Sequence, residues 1–419
     1  MKSGAQSWVK LKEFFCIDWG HALTVPRYHV LLVCTHPVQY ASPVFRQMAQ
    51  HPRLDINVAY CSLQGAKAGV DPEFGIEVKW DVPLLEGYPW VQAPNRSPRP
   101  GLGRLFGLFN PGLWKLVGDG GYDAVVLYTG YACVSFWIVL AAAKLHRVPI
   151  LFGTDATSID PRFRSRWRIW VKKLILPAIF RMATVAIAPS AATARYLESL
   201  RVPKDRIVVT PFVVDNDYWT RSAAQVDRVS VRSGWGCREG QPVALFCAKL
   251  QPWKRPQDVL RAFANAGVPD ARLIMAGEGP MRAELEEEAR SLGVAERVRF
   301  VGFANQSELP ALYRSADVMV LPSEYDPCPV VVCEAMLCGC PVILSDKIRG
   351  RSELVRTGET GFFYPCGDVG ALAETLRRVL TDRQALRQMS KAARHRMETW
   401  SPRENVEAHV QAIERSLAF

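Results

Sequence analysis

Long apolar runs are missing from this sequence. No stretch reaches the roughly 18–20 uninterrupted apolar residues that a membrane-spanning helix needs, and the nearest approach, Ala132 to Ala143, is too short. Paired cysteines are missing as well. The 11 cysteines are scattered, odd in number and without C-x2-C spacing, which argues against a zinc cage or a closed disulfide framework and for a reducing, cytoplasmic setting. The densest group, Cys328, Cys333, Cys338 and Cys340, reads as packing residues around a buried turn. Residues 1–27 lack the unbroken apolar core of an export signal, because Lys10, Lys12, Glu13 and Asp18 interrupt it; they are expected to be an N-terminal extension. A full G-x-G-x-x-G is also absent. In Met275-Ala276-Gly277-Glu278-Gly279-Pro280-Met281-Arg282 an arginine stands where the third glycine belongs, so a nicotinamide-dinucleotide fold is not supported.

What is present describes an ordinary globular chain. Its 419 residues, 49% hydrophobic and 22% charged, suit two sizeable domains with real cores. Lys plus Arg exceed Asp plus Glu by 52 to 41, a net charge of +11. That excess favours anionic partners such as phosphates, anionic lipid or nucleic acid.

Apolar strands alternate with helix-like segments from Tyr28 onward: YHVLLVC, DINVAYC, DAVVLYT, VPILFGT, VAIAPS and RIVVTPF. Strands this apolar belong in a parallel sheet covered on both faces. The pattern lapses over residues 216–240 and then resumes with PVALFCAKL, RLIMAGEG, RVRFVGF, DVMVLPS and CPVILSD. The fold expected is therefore α/β, with two Rossmann-like doubly wound domains facing a central cleft: residues 28–215, a linker at 216–240, and residues 241–395. Residues 396–419 are expected to form a helix returning to the first domain. The Pro- and Gly-rich connection from Gly65 to Pro111 is either a cover over an acceptor site or a surface excursion.

Ligands of open α/β sheets bind at the carboxyl ends of the strands. There, Lys249 and Lys254 lie five residues apart directly after an apolar strand, where two ammonium groups can neutralise a diphosphate; a solvated loop would carry the same letters. The turn Gly277-Glu278-Gly279 ends another strand, and its glycines let backbone amides approach a phosphate or simply pack. The strongest constellation is Glu324-Tyr325-Asp326-Pro327-Cys328-Pro329-Val330-Val331-Val332-Cys333-Glu334. Asp326 and Glu334 bracket seven residues, and a helix starts between them, so carboxylates and helix-end amides share one place. Such carboxylates accept hydrogen bonds from sugar or ribose hydroxyls.

Taken together, AKLQPWK, MAGEGPMR and the acidic-x7-acidic segment followed by EAMLCGCPVI resemble the GT-B-fold, nucleotide-sugar-dependent retaining glycosyltransferases of family four (glycosyl transferases group 1), from about Tyr28 to Phe419. The resemblance implies a hexose-type transfer from a nucleotide-diphosphate sugar to an acceptor hydroxyl with retention, no metal and no cofactor, in polysaccharide or glycolipid biosynthesis. It also implies roles. Lys249 and Lys254 would hold the diphosphate, Asp326 the transferred sugar and Glu334 the ribose, while Gly277, Glu278, Gly279, Phe303, Val330 and Val331 would line the donor pocket. Departures from the family pattern are Asp326 in place of Glu, with Glu324 as a possible substitute, and Lys249 in place of Arg. The first-domain histidine is missing too. That region reads Phe152-Gly153-Thr154-Asp155, so Asp155 is the candidate to orient the acceptor hydroxyl, or else it caps a helix beginning at Ala156. His36 and Thr154 are further cleft candidates, His36 being equally readable as a loop histidine. Asp215-Asn216-Asp217 spells D-x-D but matches an interdomain segment of the family, and is read as structural.

Arg162 to Arg181 reads RFRSRWRIWVKKLILPAIF-R, with seven basic residues and no acid. It is expected to form a basic, aromatic, amphipathic helix broken near Pro177, suited to an anionic membrane surface and a lipid-linked acceptor, or merely solvated. Nucleic acid is not expected as a partner, since no RNP-type motif, zinc spacing or second basic stripe accompanies it. Competing readings are a nucleotide-sugar epimerase of the same fold and a catalytically degenerate binding protein.

Overall fold

The computed structural model describes residues 26–71, 75–159 and 165–419. The extension expected over 1–27 lies almost wholly outside them, as do Arg162 and Arg164. Nine strands come first: β1 (Tyr28–Cys34), β2 (Leu54–Tyr60), β3 (Gly69–Asp71), β4 (Ile76–Val78), β5 (Trp90–Gln92), β6 (Ala124–Tyr128), β7 (Ile150–Gly153), β8 (Val185–Ala188) and β9 (Ile207–Val209). Seven of them form a parallel sheet in the order β5-β2-β1-β6-β7-β8-β9, while β3 and β4 make a small antiparallel pair. The long Gly65–Pro111 connection thus contributes an edge strand and a hairpin.

The second sheet is also parallel, built from β10 (Val243–Cys247), β11 (Arg272–Ala276), β12 (Val298–Gly302), β13 (Val318–Leu321), β14 (Val342–Ser345) and β15 (Gly361–Tyr364) in the order β12-β11-β10-β13-β14-β15. All five residues of β10, VALFC, are buried, as a strand covered by helices on both faces requires. The strand order reverses at β1/β6 in the first sheet and at β10/β13 in the second. Loops leaving the carboxyl ends of those strands open a crevice between them, which is where such folds bind ligands.

Residues 216–240 hold two short helices, Asn216–Ala224 and Arg228–Gly234. Asp215 caps the helix Asn216–Ala224 through the amide of Tyr218 (3.0 Å), and Asp227 caps Arg228–Gly234 through the amides of Val229 and Ser230. Local capping makes short helices out of a segment with no apolar stripe. The helix Arg166–Phe180 runs on through Pro177 instead of breaking there. So near the helix end proline removes a single hydrogen bond, and the main-chain and side-chain nitrogens of Arg181 both donate to the Pro177 carbonyl.

The chain crosses between the domains twice, near Phe212 and near Trp400. After the second crossing the helix Pro402–Leu417 begins with a Ser401–Glu404 capping box and packs on the first domain, against the helix Ser42–Gln50 and strands β6–β9. It buries Val406, Val410 and Ile413 there. His409 of this helix is buried and neutral, its proton affinity lowered to about 4 by that burial, with the Tyr128 hydroxyl 2.6 Å from Nε2.

Candidate active site between the two domains

The loop after β10 and the loop after β13 meet at the switch point of the second sheet. Lys254 ends a 3-10 turn, Pro252–Lys254, and its ammonium is ion-paired with Asp326, both side chains mostly buried. Asp326, rather than Glu324, therefore faces the cation. Glu324 is exposed and joins the other loop through its amide, which donates to the Trp253 carbonyl (2.8 Å). Lys249 lies half-buried on the same loop as Lys254.

The glycine turn braces these loops. A Cβ on Gly277 (φ +136°) would stand 2.0 Å from the Ala248 carbonyl, and one on Gly279 (φ +154°) 2.5 Å from that of Leu250. No side chain fits between these backbones, so the glycines set the height of the lysine loop. Glu278 is held by Arg282 at 2.8 Å, which engages its carboxylate within the turn. Phe303, after β12, is half-buried and its ring lies 6.3 Å from that of Trp80 in the first domain.

Beyond Asp326 the chain enters the helix Val330–Leu337. Its N-cap, Pro329, supplies no side-chain acceptor, so the amides of the first turn, including those of Val330 and Val331, have no side-chain cap and carry the positive end of the helix dipole. Glu334, about one turn along, is 2% exposed and accepts a hydrogen bond from Tyr313 (2.9 Å). Burial raises its pKa to about 7, against the opposing pull of hydrogen bonds from Tyr313 and Gln306 and of the Arg351 charge. Glu334 lines a cavity of about 130 Å³ between the domains, together with Gln306, Tyr218, Asp215 and, from the first domain, Tyr40 and Arg46.

Across the crevice, Asp155 follows β7. It caps no helix among the described residues after it: the Ala156 amide donates instead to Thr154 Oγ1 (3.1 Å). Asp155 is exposed at the crevice, and its pKa is raised first by the desolvation of the surrounding walls and then by the Asp326 charge, against a hydrogen bond from its own backbone. The two carboxylates thus sense each other across the domain boundary. His36 sits in its own loop, Nδ1 3.0 Å from Thr35 Oγ1, with its pKa lowered by burial. Asp215 of the D-x-D caps a helix and lies 3.9 Å from Arg46. Among the described residues no group of three or more His, Cys, Asp or Glu side chains converges as a ligand set for a metal. Cys328, Cys333, Cys338 and Cys340 are free and buried. Phe212, Arg351, Tyr313, Gln306 and Tyr40 also belong to this region. Nothing in their spacing singles them out in the sequence.

Two parallel sheets with opposed switch points, cations and carboxylates from one meeting a carboxylate from the other, define a GT-B-type transferase architecture. Residues 228–396 match the family of glycosyl transferases group 1, and residues 45–218 match glycosyltransferase family 4. The chain belongs to these GT-B glycosyltransferases of the group 1 and family 4 type. It is 26% identical over 278 residues to the N-acetyl-alpha-D-glucosaminyl L-malate synthase of Bacillus anthracis, covering 64% of this chain and 68% of that one. With the 2-deoxystreptamine glucosyltransferase of Streptomyces kanamyceticus the identity is 29% over 220 residues, so that the aligned region spans about half of either chain, 52% and 54%. The crystal structure of Anabaena HepE in complex with UDP superposes with a TM-score of 0.70 at 20% identity, over 92% of this chain and 99% of that one, a likeness of fold.

Proposed function

We propose that this glycosyltransferase moves a sugar from a nucleoside-diphosphate sugar to an acceptor hydroxyl in the interdomain crevice, with retention of anomeric configuration and without a metal. The observation that carries this reading is the Lys254–Asp326 pair beside an uncapped helix N-terminus, with Asp155 facing it from the other domain. In the transfer, the bond between the sugar's C1 and the β-phosphate oxygen breaks and its electron pair leaves with the nucleoside diphosphate. Lys249, Lys254 and the first-turn amides stabilise the charge that develops there. Asp326 accepts hydrogen bonds from the sugar and Glu334 from the ribose. Asp155 orients the acceptor hydroxyl, whose oxygen forms the new bond to C1 on the face the phosphate leaves, its proton passing to the departing phosphate oxygen. UDP is the first nucleotide to try, since a structural neighbour is a UDP complex.

The acceptor side carries the helix Arg166–Phe180, whose Trp167, Trp170 and Leu174 are each 65% exposed among basic residues. This supports an acceptor held at an anionic membrane face, as in polysaccharide or glycolipid assembly. No helix of the described residues is long and apolar enough to cross a membrane, so contact there would be peripheral.

The test is a product assay with EDTA present, reading the anomeric configuration by NMR. Lys254→Ala is expected to lower kcat on the order of 10²-fold or more, and Glu334→Ala to weaken donor use, both with unchanged circular dichroism. Near-wild-type turnover in both variants, or an inverted product, would sink the corresponding part of the assignment.

A further inference from the structure

Arg351, which closes a 3-10 turn, Arg349–Arg351, after β14, is the largest side chain buried outright among the described residues, at 0% exposure. Among the described residues its guanidinium hydrogen-bonds to no carboxylate, although its charge is felt by Glu334. Nε donates to the Pro329 carbonyl (3.1 Å), Nη2 to that of Cys328 (3.4 Å) and Nη1 to that of Phe212 (3.1 Å), while the group lies over the Phe212 ring at 5.6 Å. A buried charge held by carbonyls alone is costly, and an apolar residue of similar volume often stabilises a fold better. The position of the three acceptors shows what the charge is suited to do.

Two of the carbonyls belong to the loop that runs from Asp326 into the helix Val330–Leu337. The Pro329 oxygen and the Val330 N–H are the two ends of one peptide group. A charged donor on that oxygen polarises the peptide and makes the amide a stronger donor to an anion. The third carbonyl, that of Phe212, belongs to the first interdomain crossing. It also accepts from Trp400 Nε1 (3.0 Å) at the second crossing, and the Phe212 ring packs 4.8 Å from Tyr40 of the first domain. One guanidinium thus ties the donor loop to both crossings.

We propose that Arg351 is a positioning residue for the transfer: it fixes and polarises the Pro329–Val330 peptide that meets the donor's diphosphate, and registers this loop against the hinge. The inference rests on the donor reading above and concerns the diphosphate alone, so it is tested by comparing UDP with uridine. Titration calorimetry is run on the full chain for wild type, Arg351→Met and Arg351→Lys. UDP affinity is expected to fall about tenfold or more in Arg351→Met, with uridine affinity within about twofold of wild type. Arg351→Lys, which keeps the charge but not the fork, shows a smaller loss of the same kind and serves if the Met variant does not fold; Phe212→Leu, which removes the ring beneath the guanidinium, serves if neither does. An unchanged UDP-to-uridine ratio in the folded variants overturns the role, and so does an equal loss of both ligands, which marks general damage. Wild-type protein that binds none of UDP, GDP, ADP and dTDP overturns the donor reading itself; if another of the four binds in place of UDP, that nucleotide and its nucleoside are the pair compared.

Discussion

Glu334 is poised between its two protonation states at neutral pH. An acid whose folded pKa lies near 7 and whose unfolded value is 4.5 contributes stability that is fully present below 4.5 and is lost as pH rises through 7. The full effect is roughly 3 kcal/mol. Glu334→Gln keeps the shape and removes the titration, so the melting temperature of wild type is expected to fall relative to this variant between pH 5 and pH 8. Parallel melting curves across that range would show that the carboxyl is ionised throughout. The residues legible in the sequence were those whose meaning lies in side-chain spacing, Asp326 and Glu334 eight positions apart and Lys249 and Lys254 five. Arg351 and Phe212 were not, because they are joined to their surroundings through backbone carbonyls, which every residue possesses and no letter marks.

At the level of elements, the apolar alternation made both sheets readable, while the irregular segments were not. The helices Asn216–Ala224 and Arg228–Gly234 depend on single aspartate caps, and β5 owes its place to pairing with β2 rather than to its own composition, all three of its residues being exposed. The helix Arg166–Phe180 carries its own prediction. Interfacial tryptophans supply apolar burial and basic residues supply attraction of ~1 kcal/mol each near anionic lipid. Trp167→Ala/Trp170→Ala protein is expected to sediment with phosphatidylglycerol vesicles about tenfold less than wild type. Wild-type binding should vanish on uncharged phosphatidylcholine; equal sedimentation of both proteins on anionic vesicles would remove the membrane from the account.

For the whole molecule, the arrangement of the domains depends on contacts hundreds of residues apart, which periodicity does not encode. A strap from the first domain reaches the second: Asn305 Nδ2 donates to the Lys79 carbonyl (2.7 Å), the Ser307 amide and hydroxyl both donate to Asp81, and Trp80 packs on Phe303. The Gly65–Pro111 excursion is therefore a clasp across the crevice. Loss of a few exposed hydrogen bonds costs little stability but shifts a balance between open and closed forms. Asp81→Ala/Asn305→Ala protein is expected to show a larger radius of gyration by small-angle scattering, with an unchanged melting temperature; an unchanged radius would mean the crossings alone hold the domains together.

The helix Pro402–Leu417 covers a face whose last strand, β9, ends roughly 190 residues earlier in the chain. At ribosomal rates of about 5–20 residues per second, that interval is ~10–40 s. Throughout it, the pocket that will hold Val406, Val410 and Ile413 stands open on the nascent chain. The first domain to emerge is accordingly the last to be completed, and its waiting apolar face is the place where a ribosome-bound chaperone would be needed most.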